Sequence, residues 1–161
     1  MIKRVLFICY ANTCRTPAAY KLAEFYAEKY SLKGIKFDSA GWHIAFDHAQ
    51  PETIDYLKLK GFEMNNFKPK PITQDLIEKQ DLIISMERYQ LTKIRNRFKE
   101  LREKLKGKLY TLKEFNGADK KNVNIPDPYK KEKEKYFEIL DIVDKNVEML
   151  VKKIKQINEP S

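Results

Sequence analysis

The sequence predicts an α/β fold: one domain on a four-stranded parallel sheet with helices on both faces. Three observations lead there. Short apolar runs such as Val5-Leu6-Phe7-Ile8 and Leu82-Ile83-Ile84 are apolar at consecutive positions, the pattern of strands buried on both faces. Such runs alternate with stretches of helical spacing, the order that joins parallel strands through right-handed crossovers. The 161 residues suit one core, and no linker or internal repeat divides them, so residues 1–161 are expected to form one domain.

The elements follow in order. Residues 3–9 are expected as the first strand. Ala19, Leu22, Ala23 and Tyr26 recur at i, i+3, i+4 and i+7 and predict a helix over 17–30, with Thr16 as its cap and Pro17 at its first position. Residues 35–39 read as the second strand. A helix over 51–60 is stopped by Gly61, a good left-handed terminator. Residues 62–71 are irregular, and 73–78 form a short helix capped by Thr73. The third strand covers 82–86, a basic helix lies within 88–102, and the fourth strand covers 108–112. Residues 117–129 hold two prolines and no periodicity, which predicts a surface loop. In the last helix Leu140, Val143, Val147, Leu150, Ile154 and Ile157 alternate spacings of three and four. In a small α/β chain that stripe packs on the sheet and does not form a coiled-coil seam.

Composition excludes several classes. Charged residues make up 34% and no apolar run approaches 18 residues, so no membrane span is expected. The apolar start faintly imitates a signal peptide but ends in Asn12-Thr13-Cys14-Arg15, without a small-residue cleavage site. The two cysteines lie in one loop and cannot staple the fold, which suggests a reducing cytoplasm. The net charge of +9 comes from Lys-rich stretches interleaved with Glu, mostly a solvated face. It would help draw in an anionic ligand. Without a nucleic-acid motif or basic runs interleaved with aromatics, no nucleic-acid partner is expected. His43 and His48 belong to no recognised ligand set and read as surface residues, and no metal or cofactor is implied.

The chemistry is concentrated in Cys9-Tyr10-Ala11-Asn12-Thr13-Cys14-Arg15-Thr16, between the first strand and first helix. A strand, a short loop and a helix N-terminus aim backbone N–H groups and the positive end of the helix dipole at one point, which makes an anion site. Cys9 opens the loop and Arg15 closes it. Thiols at helix N-termini beside cations ionise at roughly pH 3.5–7.5 instead of about 8.5. Asn12 tolerates positive φ, and Arg15 carries a planar fork that grips two phosphate oxygens. The plainer reading of Cys9 is a small apolar residue at a strand end.

With these residues in view, the chain resembles the low-molecular-weight protein tyrosine phosphatases. Their signature is a nucleophilic Cys, five residues, Arg, Ser or Thr, and Pro near the N-terminus, matched here from Cys9 to Pro17. Asp127-Pro128-Tyr129 is similar to the family's Asp-Pro-aromatic, Asp38-Ser39-Ala40-Gly41 to its D-S-A-G, and Asp81–Met86 to its apolar central strand. The resemblance spans nearly the whole chain and implies the phosphotyrosine phosphatase I-like fold and hydrolysis of phosphotyrosine in protein substrates through phosphocysteine; a monomer is the default expectation. It makes Cys9 the nucleophile, Arg15 and the amides of Tyr10, Ala11, Asn12, Thr13 and Cys14 the phosphate cradle, Thr16 a hydrogen-bond partner of the sulfur, and Asp127 the acid and base. Asn12 and Ser39 would hold the loop, and Tyr10, Trp42, Tyr129 and, in a shortened loop, Phe46 would rim the slot.

Some positions depart from the pattern: Phe67 stands where members often carry His, and Lys130 replaces a second tyrosine after Tyr129. Cys14 has two readings, a small buried side chain or the partner of a reversible Cys9–Cys14 disulfide that would switch activity off. Three other functions use the same loop. An arsenate reductase needs further cysteines, and none follows Cys14; Ser85 stands where one could lie. A phosphocysteine carrier is disfavoured by Asp127, and a non-catalytic phospho-ligand binder by the intact Cys, Arg and Asp set.

Overall fold

The computed structural model describes residues 1–160. Four parallel strands, β1 (Arg4–Cys9), β2 (Lys36–Gly41), β3 (Leu82–Ser85) and β4 (Leu109–Thr111), lie in the order β2-β1-β3-β4. β1 is flanked on both sides and alternates between two cores. Val5, Phe7 and Cys9 face a core shared with α1 (Arg15–Lys29) and α6 (Lys133–Asn158). Leu6 and Ile8 face the other, with Ile94 of α4 (Arg88–Arg97) and with Phe98 and Leu101, the latter in a 3-10 turn (Lys99–Leu101). The period of two in a strand therefore sets which face receives the reactive side chain at its end. α2 (Pro51–Leu59) packs against α1 and α6, and α3 (Gln74–Glu78) is capped by Thr73, whose hydroxyl accepts from the Leu76 N–H at 3.2 Å.

Several boundaries differ from expectation. α1 begins at Arg15, so Cys14 holds the cap position, Thr16 is inside the helix and Pro17 is third. Pro17 still loses nothing, since the first four helical N–H groups lack intrahelical partners. β2 runs on to Gly41, where residues 70–72 pair beside it: Gly41 N–H donates to Lys70 O at 2.9 Å and Ile72 N–H to Gly41 O at 3.0 Å. The span 88–102 divides into α4 and the 3-10 turn. A short helix α5 (Leu112–Phe115) follows β4, with Thr111 and Glu114 bonding each other's backbone N–H groups at 3.0 and 3.2 Å. The loop after it is not wholly on the surface: Val123 and Ile125 are buried, and Ile125 N–H donates to Met86 O at 2.9 Å. Among the described residues no helix is long and apolar enough to cross a membrane.

Candidate active site

The chain leaves β1 for β2 on one side and later returns to β3 on the other, so the strand order reverses around β1. Crevices at such points, beyond the carboxyl ends of strands, are where ligands bind in open α/β sheets. Cys9 ends β1 at that crevice and is almost wholly buried. The turn that follows requires one left-handed residue, and Asn12 supplies it with φ 59°. The buried Asn12 amide donates from Nδ2 to Thr16 Oγ1 at 2.8 Å and accepts from Lys70 N–H at Oδ1 at 3.1 Å. Two groups then meet the sulfur: the Asn12 N–H at 3.3 Å and Thr16 Oγ1 at 3.2 Å. Because Thr16 Oγ1 already accepts from Asn12, its own proton is free to point at Cys9 Sγ. A hydroxyl placed before a helical proline usually caps; here it serves the sulfur instead.

Arg15 is 1% exposed, and its guanidinium is fixed from two elements. Nη1 donates to Glu87 Oε1 at 2.6 Å and to Ile125 O at 2.7 Å. Burial works against its charge, but negative charge on Cys9, Asp127 and Glu87 outweighs it and raises the pKa. Among the described residues the buried Nε–H has no acceptor. A buried donor left unmet costs about 1–3 kcal/mol, so an anion that supplies the acceptor fits the site. Asp127 lies across the opening, its Oδ2 3.9 Å from Arg15 Nη2 and its Oδ1 accepting from the Tyr129 N–H at 3.0 Å. The Ile125 anchor carries Asp127 to this place.

These residues enclose a cavity of about 210 Å³ with Cys9 and Arg15 at its floor and Tyr10, Phe46 and Tyr129 at its walls. The Phe46 and Tyr129 rings are 6.2 Å apart, and Tyr10 stacks on His43 at 5.7 Å. Cys14 also borders it. Burial pushes the Cys14 thiol up to about 12 against hydrogen bonds from Tyr136 and Thr13. Both cysteines are free thiols.

Two expected residues stand elsewhere. Trp42 turns away from the rim, stacked on Phe98 at 6.4 Å beneath Lys93, because the period of two along β2 puts it on the same face as Ala40, and the next residue, His43, takes the rim position. Ser39 is buried in β2, but the bonds that hold Asn12 run to Thr16 and Lys70, not to the Ser39 hydroxyl. Residues the sequence did not single out complete the site. Glu87 follows the apolar third strand, beside β1, a place where functional groups gather. Gly41 is also required: a Cβ there would sit 2.7 Å from Asn12 N and 2.8 Å from Ala11 C, so only glycine lets β2 meet the loop. Lys70 acts through its backbone, for which the sequence carries no signal.

Comparison with known proteins agrees with this geometry. A family model described as low molecular weight phosphotyrosine protein phosphatase matches residues 4–159. The chain is 27% identical over 158 residues to a protein of Ralstonia nicotianae named probable low molecular weight protein-tyrosine-phosphatase EpsP, covering 98% of this chain and 99% of the other. It is 34% identical over 133 residues to low molecular weight phosphotyrosine protein phosphatase 1 of Drosophila melanogaster, covering 80% and 81%. The structure of the YwlE arginine phosphatase from Geobacillus stearothermophilus superposes with a TM-score of 0.83 at 27% identity, covering 99% and 98%.

Proposed function

The chain belongs to the low molecular weight phosphotyrosine protein phosphatase family, a family of cysteine-dependent phosphatases, and from that membership we propose how its own residues share the work. Cys9 Sγ attacks the phosphorus of a phosphotyrosine side chain. The S–P bond forms as the bond to the phenolic oxygen breaks, and Asp127 gives that oxygen its proton. A water then attacks the phosphocysteine, Asp127 takes a proton from it, and the S–P bond breaks to release phosphate and Cys9 as thiolate. The loop amides and Arg15 hold the three equatorial oxygens through both steps, where one preorganised donor contributes about 3 kcal/mol. Thr16, its hydroxyl aimed at the sulfur, stabilises the departing thiolate.

The observation that carries this reading is the unpartnered Nε–H of a buried Arg15 in the same loop as a sulfur that accepts from the Asn12 N–H and is hydrogen-bonded to Thr16 Oγ1. The nearly buried sulfur and the half-exposed Tyr10 and Tyr129 rings favour a long, flat phosphorylated side chain, since phosphoserine is too short to reach the floor. A second reading has specific support. The superposed YwlE protein is named an arginine phosphatase, and phosphoarginine is also long and flat, with a guanidinium plane that stacks on aromatic rings. The protein acts as a monomer in the cytoplasm on phosphoproteins in either case. Should Cys9 be oxidised to a sulfenic acid, Cys14 would condense with it and expel water, slowly, because burial keeps Cys14 protonated.

The deciding measurement is release of phosphate from an aryl phosphate at about pH 5–7 without added metal. The native chain should turn over, Cys9→Ser should be silent, and Asp127→Asn should lose about a hundredfold or more in kcat. Turnover that survives in Cys9→Ser sinks the mechanism. Peptides bearing phosphotyrosine, phosphoserine or phosphoarginine then decide between the two substrates.

A further inference from the structure

The positive charge of the chain is not spread evenly. Residues 88–108 hold nine Lys or Arg and two Glu, which gives +7 of the total +9. α4 itself, Arg88-Tyr-Gln-Leu-Thr-Lys-Ile-Arg-Asn-Arg97, contains no acidic residue. It begins behind the floor of the catalytic cavity, where Glu87, the residue before it, grips Arg15, and Tyr89 in its first turn is exposed. From Tyr89, Lys93 and Arg97 follow at steps of four and so share one face of the helix. Lys93 Nζ lies 4.7 Å from the centre of the Trp42 ring, and Arg97 lies 5.9 Å from that of Phe98. Among the described residues neither has a carboxylate partner, whereas Arg88, Lys104 and Lys106 nearby do. Trp42, Lys93, Asn96 and Arg97 line an open recess on this face.

We propose that this face is a docking site for an acidic segment of the phosphoprotein substrate, with Lys93 and Arg97 binding carboxylates beside the phosphorylated residue. The proposal deepens the phosphatase reading and rests on it. A protein segment is favoured over other polyanions because Lys93 and Arg97 lead away from the cavity that receives the phosphorylated side chain. The spacing sets the pattern. Four helical residues rise about 6 Å, and an extended peptide advances about 3.3 Å per residue. Lys93 and Arg97 therefore match carboxylates two positions apart, which in an extended segment point to the same side. The aromatic floor holds both cations in place without neutralising them, so less side-chain freedom is lost on binding.

The test compares a phosphopeptide carrying Glu at alternate positions flanking the phosphorylated residue with its Gln counterpart, on the native chain and on Lys93→Glu/Arg97→Glu. Both phosphotyrosine and phosphoarginine versions are used. The native chain should favour the Glu peptide by about three- to tenfold in kcat/KM, mostly through KM, as expected for exposed pairs. The double variant should lose or reverse that preference, while its kcat for an aryl phosphate stays within about twofold of native. A preference that persists in the variant, or a fall in aryl phosphate turnover as large as that on the peptide, overturns the proposal. So does tight binding of RNA or anionic vesicles through these residues without discrimination between the peptides. Anisotropy of the same peptides on Cys9→Ser reads docking without turnover, so failure of the site and failure of the catalytic reading give different results.

Discussion

A methyl group added at residue 41 would lie 2.7 Å from Asn12 N, closer than non-bonded atoms come, and the obstacle is backbone that cannot rotate aside. The anion loop must shift, and with it the Asn12 N–H that donates to Cys9 Sγ. Gly41→Ala should cost about 1–3 kcal/mol of stability, the usual range for overpacking. Its larger effect should be on the site: kcat/KM for an aryl phosphate falls about tenfold or more, and inhibition by inorganic phosphate weakens in parallel. Urea unfolding and the phosphate inhibition constant measure the two effects, and an unchanged inhibition constant refutes the link between Gly41 and the loop. What the sequence revealed at this scale follows from locality. Cys9, Asn12, Arg15 and Thr16 were legible because one turn brings them together. Glu87, Lys70 and Ile125 come from 58 or more residues away along the chain and meet the loop only through the sheet. Trp42 was misplaced because the resemblance was followed over the period of two, which puts residue 42 with Ala40 on the α4 face.

Among the elements, α6 was the most legible. Its expected stripe is buried from Leu140 to Ile154, joined by Tyr136, against α1 and the face of β1 that carries Val5, Phe7 and Cys9, whereas Ile157 is 45% exposed because the helix runs past the core there. The strict spacing survives because one long helix covers a flat face. α5 was missed because four residues cannot show a period, although the Thr111-x-x-Glu114 pair marked its start. The end of β2 was placed too early, since Gly41 weakens any strand pattern while its place here is set by the loop above it. Leu150→Ala should remove about 2–5 kcal/mol of unfolding free energy, the range for a fully buried leucine. The urea midpoint should fall, and kcat of the folded variant should stay near native because residue 150 lies far along α6 from the loop. A loss below about 1 kcal/mol means that the core closes over the gap.

Over the whole molecule, the total charge was plain in the composition while its distribution was not. The Lys-rich stretch after Tyr129 is interleaved with Glu and includes a surface pair of Lys133 with Asp55 at 3.3 Å, so much of it cancels locally. The excess lies on the α4 side, and a phosphate dianion approaching the cavity experiences the sum. A small aryl phosphate has no flanking segment to dock, so it responds to that field alone. Raising sodium chloride from about 0.01 M to about 1 M shortens the screening length from roughly 30 Å to roughly 3 Å. The long-range attraction then vanishes, while contacts inside the cavity remain. kcat/KM for the aryl phosphate should therefore fall by about tenfold and kcat should change by less than about twofold. Chloride is the right anion for this measurement, because sulfate would compete for the loop itself. A fall in kcat of the same size would mean that salt acts on the Arg15–Glu87 pair, 2.6 Å apart and largely shielded from solvent, and not on the approach of substrate. No change in either constant would mean that interleaved carboxylates cancel the field before it reaches the mouth.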